Sequence, residues 1–428
     1  MKNQKSTILL LVISFVLFGC TQSGEWYQYL GPERNATVKD AYILRSWNEE
    51  SPRELWSADL GPGYGSASIF DDEVFILDRK KGEADMLRCF DFNNGEEKWK
   101  FEYEAVGELP FPGSRAVPTV DKKHVWTVGP HGDLYCINKK SRQAEWHLNL
   151  KEKYEAEPSQ WGFSQSPLLY KDMVIVSPHG KKAGIVAFKK NTGTVVWESR
   201  PLTGSSFHVS PTLAKFGGID QVIMISPYDR RDSTRLHEVV SFNAQTGEEL
   251  WTYDGLRSFA TISPAVTIED NMLFLTDCSY NDNYAPVSIL LEIEMQDDNF
   301  EINERFKTEE AGCKMHPGIY YDEHIYLNSN GNPNKMSCLD MKGNDVWSKD
   351  SVPGFEMGAM ILINDLIINQ NGKNGDIHLI EPTLEGYKEL GRASFFESNK
   401  SQAWAPIAYS NGRIIIRNLE KMVCVDLR

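Results

Sequence analysis

Arg115, Trp161, Gln165, His208, Lys314, His316, Gln402 and Trp404 combine cations, imidazoles, amides and indoles, the side chains from which a pocket for a polar or anionic ligand is built. Each lies a few residues before, or within, one of a series of dipeptides ending in proline: Val117-Pro118, Ser166-Pro167, Ser210-Pro211, His316-Pro317 and Ala405-Pro406. Arg115 and Lys314 would hold carboxylates, and Trp161 and Trp404 would line the pocket or cover its rim. Seven cysteines offer a second chemistry. None are adjacent and none have C-x-x-C spacing, so no metal site is expected. Cys89, Cys136, Cys338 and Cys424 share one repeat position with Ala187 and Ser241, which marks them as small buried residues. Cys278 and Cys313 lie off that position and could pair in an oxidising compartment. His131 and His179 both occur as Pro-His-Gly, which reads as turn chemistry rather than as a ligand pair.

The elements that must position these groups are set by a tryptophan period. Trp56, Trp99, Trp146, Trp197 and Trp251 are 43, 47, 51 and 54 residues apart. The 96 residues from Trp251 to Trp347 hold two further units, with Phe306 standing where a tryptophan would, and the spacing continues to about Leu390. Ten residues before these tryptophans an alternating strand ends, at Cys89, Cys136, Ala187 and Ser241. Between the two landmarks lie Asn93-Asn94-Gly95, Asn191-Thr192-Gly193 and Gln245-Thr246-Gly247, which supply the residues that positive-φ turns require. Upstream, short β-rich runs such as Val74-Phe75-Ile76-Leu77 follow polar turns, and another short strand precedes each turn. Four short strands per unit, with almost no helical periodicity, describe a β-propeller blade. A solenoid is the alternative, but it needs polar caps at its ends.

Eight blades are expected. The last unit, from Ala405, reaches Cys424 and stops without its closing strand, while Leu55-Trp56 is a closing strand with no unit before it. The N-terminal strand would complete the last blade and leave no open sheet edge. Strands that alternate up and down put the loop before each first strand and the loop after each second strand on one face. That face takes the long loops, Leu148 to Ser164, Pro227 to His237, Cys278 to Pro286 and Lys307 to Met315, and is the expected binding face. The eight candidate residues would gather near its axis.

Composition narrows the partners. With 41% hydrophobic and 25% charged residues, the 428-residue chain can bury a large core. Sixty acidic against 45 basic residues give a formal charge of −15, which repels a phosphate backbone and excludes nucleic acid as an expected partner. The first 19 residues read as an address: Lys2 and Lys5 precede an apolar run from Ile8 to Phe18 that is short for a membrane span. Leu17-Phe18-Gly19-Cys20 resembles a bacterial lipoprotein signal. That resemblance implies cleavage before Cys20 and its acylation as a membrane anchor, leaving a charge of −17.

Leu134-Tyr135-Cys136-Ile137 followed by a turn and Glu145-Trp146, and Val186-Ala187-Phe188 followed by Thr192-Gly193 and Val196-Trp197, resemble the repeat of quinoprotein-like (pyrroloquinoline-quinone-type) propellers. Trp26-Tyr27-Gln28-Tyr29-Leu30-Gly31-Pro32 and Trp161 to Pro167 are similar to secreted members of that superfamily, so the resemblance runs from Trp26 to the C-terminus. It implies an all-β, eight-bladed propeller of four-stranded antiparallel blades. The superfamily includes quinone dehydrogenases and a lipoprotein of the outer-membrane β-barrel assembly machine. Its alcohol dehydrogenases stack the quinone on a disulfide of adjacent cysteines and hold calcium with acidic side chains; this chain has no adjacent cysteines. The expectation is therefore a signal peptide over 1–19, a tether and N-terminal segment over 20–53, and a propeller over 54–428. The protein would be a membrane-anchored module of the bacterial envelope, facing the periplasm or the exterior, that binds an envelope protein or small polar ligand without a cofactor. The alternative is a dehydrogenase that oxidises an alcohol or sugar with pyrroloquinoline quinone and calcium.

Overall fold

The structure is a computed structural model that describes residues 25–428, apart from 49–50, 159, 203–207, 227–237, 257–261, 279–284, 332–333, 348–350 and 398–401. Cys20 and the whole of the expected loop 227–237 lie outside the described residues, as does much of the loop after Cys278.

Eight antiparallel sheets follow one another along the chain as the blades of a propeller. Blade 1 runs through Ser68–Phe70, Glu73–Lys80, Gly82–Asp91 and Glu97–Gly107, each strand paired with the next. Blades 2 to 5 repeat this order, beginning at Thr119–Val120, Leu168–Tyr170, Thr212–Phe216 and Val266–Ile268. Blade 6 has three strands, Ile319–Tyr321, His324–Ser329 and Lys335–Asp340, and its outer position is reduced to a bridge between Leu339 and Asp345 that leads into Trp347. Blade 7 begins at Met360–Ile363 and ends at Lys388–Ala393. Blade 8 is Ala408–Ser410, Arg413–Arg417 and Lys421–Asp426, completed by the N-terminal strand Arg53–Asp59. Trp56 stands opposite Cys424 in that pairing, as Trp99 stands opposite Cys89 and Trp146 opposite Cys136. The ring is closed by the first strand of the propeller joining the last blade. Among the described residues the one helix is Leu150–Tyr154, capped by the Asn149 side chain, in the loop between blades 2 and 3.

The core lies between blades rather than inside any one of them. Trp56 of blade 8 shares a buried cluster with Phe90 and Phe92 of blade 1 and Ile414 and Val423 of blade 8. The indole N–H of Trp56 donates to Phe92 O at 2.9 Å, that of Trp146 to Lys190 O at 2.9 Å, and that of Trp197 to Ala244 O at 3.2 Å. Each indole thus docks on the turn of the following blade, which explains the turn glycines. Gly95, Gly193 and Gly247 have φ of 76°, 67° and 76°, and a Cβ there would sit 2.6 to 2.8 Å from a carbon of Trp56, Trp146 and Trp197 respectively. Phe306 stands against Gly343 in the same way, opposite Leu290, so it does occupy a tryptophan position. In blade 7 the corresponding residue is Gly391, next to the Leu390 that the spacing picks out, and Trp47 of the N-terminal segment packs on it. Two of the residues before these prolines have a role of their own: Ser166 Oγ accepts from Val117 N at 2.9 Å and Ser210 Oγ from Ser166 N at 2.9 Å, tying the inner strands of blades 2, 3 and 4.

The N-terminal segment is more than a tether. Trp26 bridges to Ile69 of blade 1, Tyr27 O accepts from Val120 N of blade 2, and Thr37–Val38 pairs in parallel with Leu362 and Ile363 of blade 7. Arg34, buried, donates to Pro167 O at 3.1 Å and Ser166 O at 3.4 Å in blade 3. Residues 26–38 therefore cross between inner strands and plug the axial channel from the face of the short turns.

Candidate functional site

A cavity of about 290 Å³ lies on the opposite face, at the axis. Every blade contributes to its wall from the segment before its first strand: Tyr64 from blade 1, Phe111 and Arg115 from blade 2, Trp161 and Ser164 from blade 3, and His208 and Ser210 from blade 4. Ile262 of blade 5, Lys314 and His316 of blade 6, Met357 of blade 7 and Trp404 of blade 8 complete the ring, and Tyr29 of the plug forms its floor. The strands are antiparallel and sequential, so these equivalent segments must converge on one mouth.

One side is an aromatic wall. The Tyr64 and Trp404 rings stack with centroids 5.2 Å apart at 24°, and Phe111 packs against both at 6.4 and 6.0 Å. Tyr64 and Trp404 belong to blades 1 and 8, so the wall exists because the ring closes. The Tyr64 hydroxyl donates to Gln402 Oε1 at 2.7 Å, which fixes the ring from behind. Across the mouth the Trp161 and His208 rings lie 5.7 Å apart.

The polar groups are cationic or neutral. The Arg115 guanidinium donates to Trp161 O at 2.8 Å, to Gly113 O at 3.4 Å and to Phe111 O, and its centre lies 5.6 Å from the Tyr64 ring centroid. It straps the loop before blade 2 and still presents charge to the cavity; burial lowers its pKa to about 10. Burial lowers Lys314 to about 8, opposed by the influence of Asp277 and Cys278, so its ammonium persists at neutral pH. His208 is driven down to about 3 by burial and by the charges of Arg115 and Lys314, and its Nδ1 lies 3.0 Å from Ser164 Oγ. Burial holds His316 at about 4, and its Nε2 is 3.0 Å from Trp404 O, an imidazole-to-backbone tie between blades 6 and 8. Two cations, two uncharged imidazoles and an aromatic wall suit a ligand that pairs an apolar or aromatic group with a carboxylate.

Six of the eight residues singled out in the sequence line this cavity: Arg115, Trp161, His208, Lys314, His316 and Trp404. Gln402 lies behind it, holding Tyr64. Gln165 lies outside the lining, fully buried, with its amide clamping both backbone groups of Ser177. Tyr64, Phe111, Met357 and Tyr29 were absent from the sequence set. Tyr64 had a signal, since it precedes Ser68 by the four residues that separate Trp404 from Ala408. Cys278 and Cys313 are buried thiols without a disulfide, and burial, Asp277 and Cys313 push the Cys278 thiol up. His131 and His179 sit in turns: His131 Nε2 is 3.0 Å from Arg79 Nη2, and His179 adopts φ 46° with Nδ1 2.7 Å from Ser177 Oγ.

The lining can be tested against the cofactor of quinone dehydrogenases. Arg115 and Lys314 suit a polycarboxylate, but no Asp or Glu is among the described lining residues, and calcium takes its ligands from carboxylate, amide and carbonyl oxygens. The donor set does not fit a calcium-dependent quinone.

The chain belongs to the family described as outer membrane protein assembly factor BamB, whose match covers residues 39–255, half of the sequence. A curated relative, the quinoprotein ethanol dehydrogenase of Pseudomonas aeruginosa, is 22% identical over 156 residues, which are 36% of this chain and only 24% of that enzyme's length. Among solved structures, BamB from Moraxella catarrhalis superposes with a TM-score of 0.58 over 88% of this chain and 99% of its own, at 13% identity. The quinohemoprotein alcohol dehydrogenase from Comamonas testosteroni superposes with a TM-score of 0.61 over 94% of this chain and 80% of its own, at 10% identity. At these identities the likeness is one of fold. No helix among the described residues is long and apolar enough to cross a membrane.

Proposed function

We propose that the protein is a lipid-anchored propeller of the bacterial envelope that binds a polypeptide partner on its long-loop face. The axial cavity takes an aromatic or aliphatic side chain of the partner against Tyr64, Phe111 and Trp404, and Arg115 and Lys314 pair with an adjacent carboxylate. The observation that carries this reading is the lining itself, drawn from all eight blades, aromatic on one side and cationic without described carboxylates on the other. Membership of a family named for outer membrane protein assembly supports a protein as the ligand. Lipid attachment at Cys20 would hold the propeller at a membrane surface where such partners pass.

Titration calorimetry with a short peptide joining a phenylalanine to an aspartate tests the reading. Saturable binding is expected, weakened at least about tenfold in Arg115→Ala/Lys314→Ala, a loss of about 1.4 kcal/mol or more for two charge-assisted contacts. Equal binding by wild type and double variant would contradict it. Dye-linked alcohol or sugar oxidation that depends on added pyrroloquinoline quinone and calcium, and disappears in the double variant, would replace it with the dehydrogenase reading.

A further inference from the structure

Blade 2 gathers three metal-binding side chains away from the axial cavity. His124 opens its second strand, Cys136 is central in its third, and Glu145 lies in its outer strand beside Trp146. The pairing of Gln143–Asn149 with the third strand slips between Ala144 and Trp146, and that bulge leaves Glu145 as the extra residue next to Trp146, which stands opposite Cys136. His124 Nε2 is 2.9 Å from Glu145 Oε2, and the donor atoms of all three residues lie within 4.8 Å of one another. We propose that His124, Cys136 and Glu145 form a site for one zinc-class divalent cation.

The repeat supplies internal comparisons. Glu73, Cys89 and Lys98 occupy the same three positions in blade 1, fixed by the register of Phe75, Cys89 and Trp99. There the positive charge is built in: Lys98 Nζ is 2.8 Å from Glu73 Oε1, and Lys139 Nζ of the next blade is 3.1 Å from Glu73 Oε2. Blade 2 replaces the acid by His124 and the lysine by Glu145. Lys190, which corresponds to Lys139, is drawn to Asp121 Oδ2 at 2.9 Å instead. A carboxylate, an imidazole and a thiol then face one another where blade 1 has an ammonium. The other two cysteine-bearing blades lack the third donor, since Val346 and Leu55 stand where Glu145 does. The cysteine is therefore a packing residue in blades 6 and 8 and a candidate ligand only in blade 2.

The surroundings of the imidazole fit ligation. His124 is buried and its Nδ1 makes no hydrogen bond, with Asp121 Oδ1 3.8 Å away. A carboxylate behind a metal-bound imidazole holds the proton on the far nitrogen and leaves the other lone pair for the ion. One sulfur, one nitrogen and one oxygen donor select zinc over calcium or magnesium, which take oxygen ligands. Glu145 is partly solvent-exposed, so the fourth position opens to water. On binding, the proton shared by His124 Nε2 and Glu145 moves to Nδ1, the Cys136 thiol proton passes to solvent, and no redox change occurs. The ion would join the second, third and outer strands of blade 2. In the metal-free protein the Cys136 thiol donates to Lys190 O at 3.5 Å, a contact that ends when the thiol gives up its proton to the ion.

The test is titration of the purified, reduced chain with cobalt(II), read as the near-ultraviolet thiolate-to-cobalt charge-transfer band, followed by displacement with zinc. Wild type should show one equivalent of cobalt with that band, and zinc should raise its melting temperature. Cys136→Ala should lose the band and bind zinc at least about tenfold more weakly, since removing a ligand costs no less than removing an outer-shell partner. Ala187 at the same position of blade 3 makes this change compatible with the fold, and equal melting temperatures of the two chains in a chelator check it. Cys338→Ala should leave the band intact. A band or zinc-induced shift that survives in Cys136→Ala, or the absence of both in wild type, overturns the proposal.

Discussion

Burial keeps three imidazoles on this face neutral: His208 at about 3, His316 at about 4 and His179 at about 4. An unfolded histidine takes its proton near pH 6.5, so below that pH the unfolded chain binds protons that the folded chain refuses. Their contribution is fully present above pH 6.5 and is lost as the pH falls toward 4. At pH 5 each would cost about 2 kcal/mol. The urea midpoint should therefore drop between pH 7 and pH 5, and His208→Asn/His316→Asn should flatten that slope; parallel slopes in the two proteins would contradict the argument. The same scale shows why Gln165 misled. Successive side chains of an extended segment point to opposite sides, so Ser164 faces the cavity and Gln165 turns into blade 3. A repeat alignment good to one residue cannot make that distinction.

At the level of elements, the tryptophan period was legible because Trp56, Trp146 and Trp197 share one task, docking on the turn of the next blade, whereas the Trp251 indole donates to Gln221 Oε1 of its own blade at 2.8 Å. Gly193 shows the constraint: it has φ 67°, and a Cβ would lie 2.8 Å from Trp146 Cδ2. Gly193→Ala should destabilise by about 1–3 kcal/mol from the backbone alone, and by more as the indole is displaced. Gly218, with φ 79° and nothing within 4 Å of an added Cβ, should lose only the backbone part on Gly218→Ala. Equal losses in the two variants, measured by chemical denaturation, would remove the docking explanation. The plug was not legible, because residues 26–38 have no period and their places are set by contacts with blades 1, 2, 3 and 7. Tyr64 was missed because its signal is an offset, four residues before Ser68 as Trp404 is before Ala408, and not a repeated residue type. The proposed cation site has no signature in the sequence because its three members come from three strands, and cysteine spacing along the chain carries no record of cross-strand register.

Over the whole molecule, closure decides both stability and site. Deleting residues 20–60 removes the strand Arg53–Asp59, the plug and buried Trp56. The loss of the Trp56 ring alone is worth about 3–5 kcal/mol, against a typical total of about 5–15 kcal/mol. The truncated chain should aggregate or melt far below the longer one; equal melting would refute closure by this strand. Cys20→Ser should release the protein from membranes into the soluble fraction, and unchanged detergent-phase partitioning would refute the anchor. The central claim is that the axial cavity receives a polypeptide side chain and not a calcium-bound quinone. It is tested most directly by following intrinsic tryptophan fluorescence while a phenylalanine–aspartate peptide is titrated in the presence of pyrroloquinoline quinone and calcium. Saturable peptide binding that quinone and calcium leave unchanged, and that Trp404→Ala abolishes, is the predicted result; calcium-dependent quinone binding that displaces the peptide would contradict it.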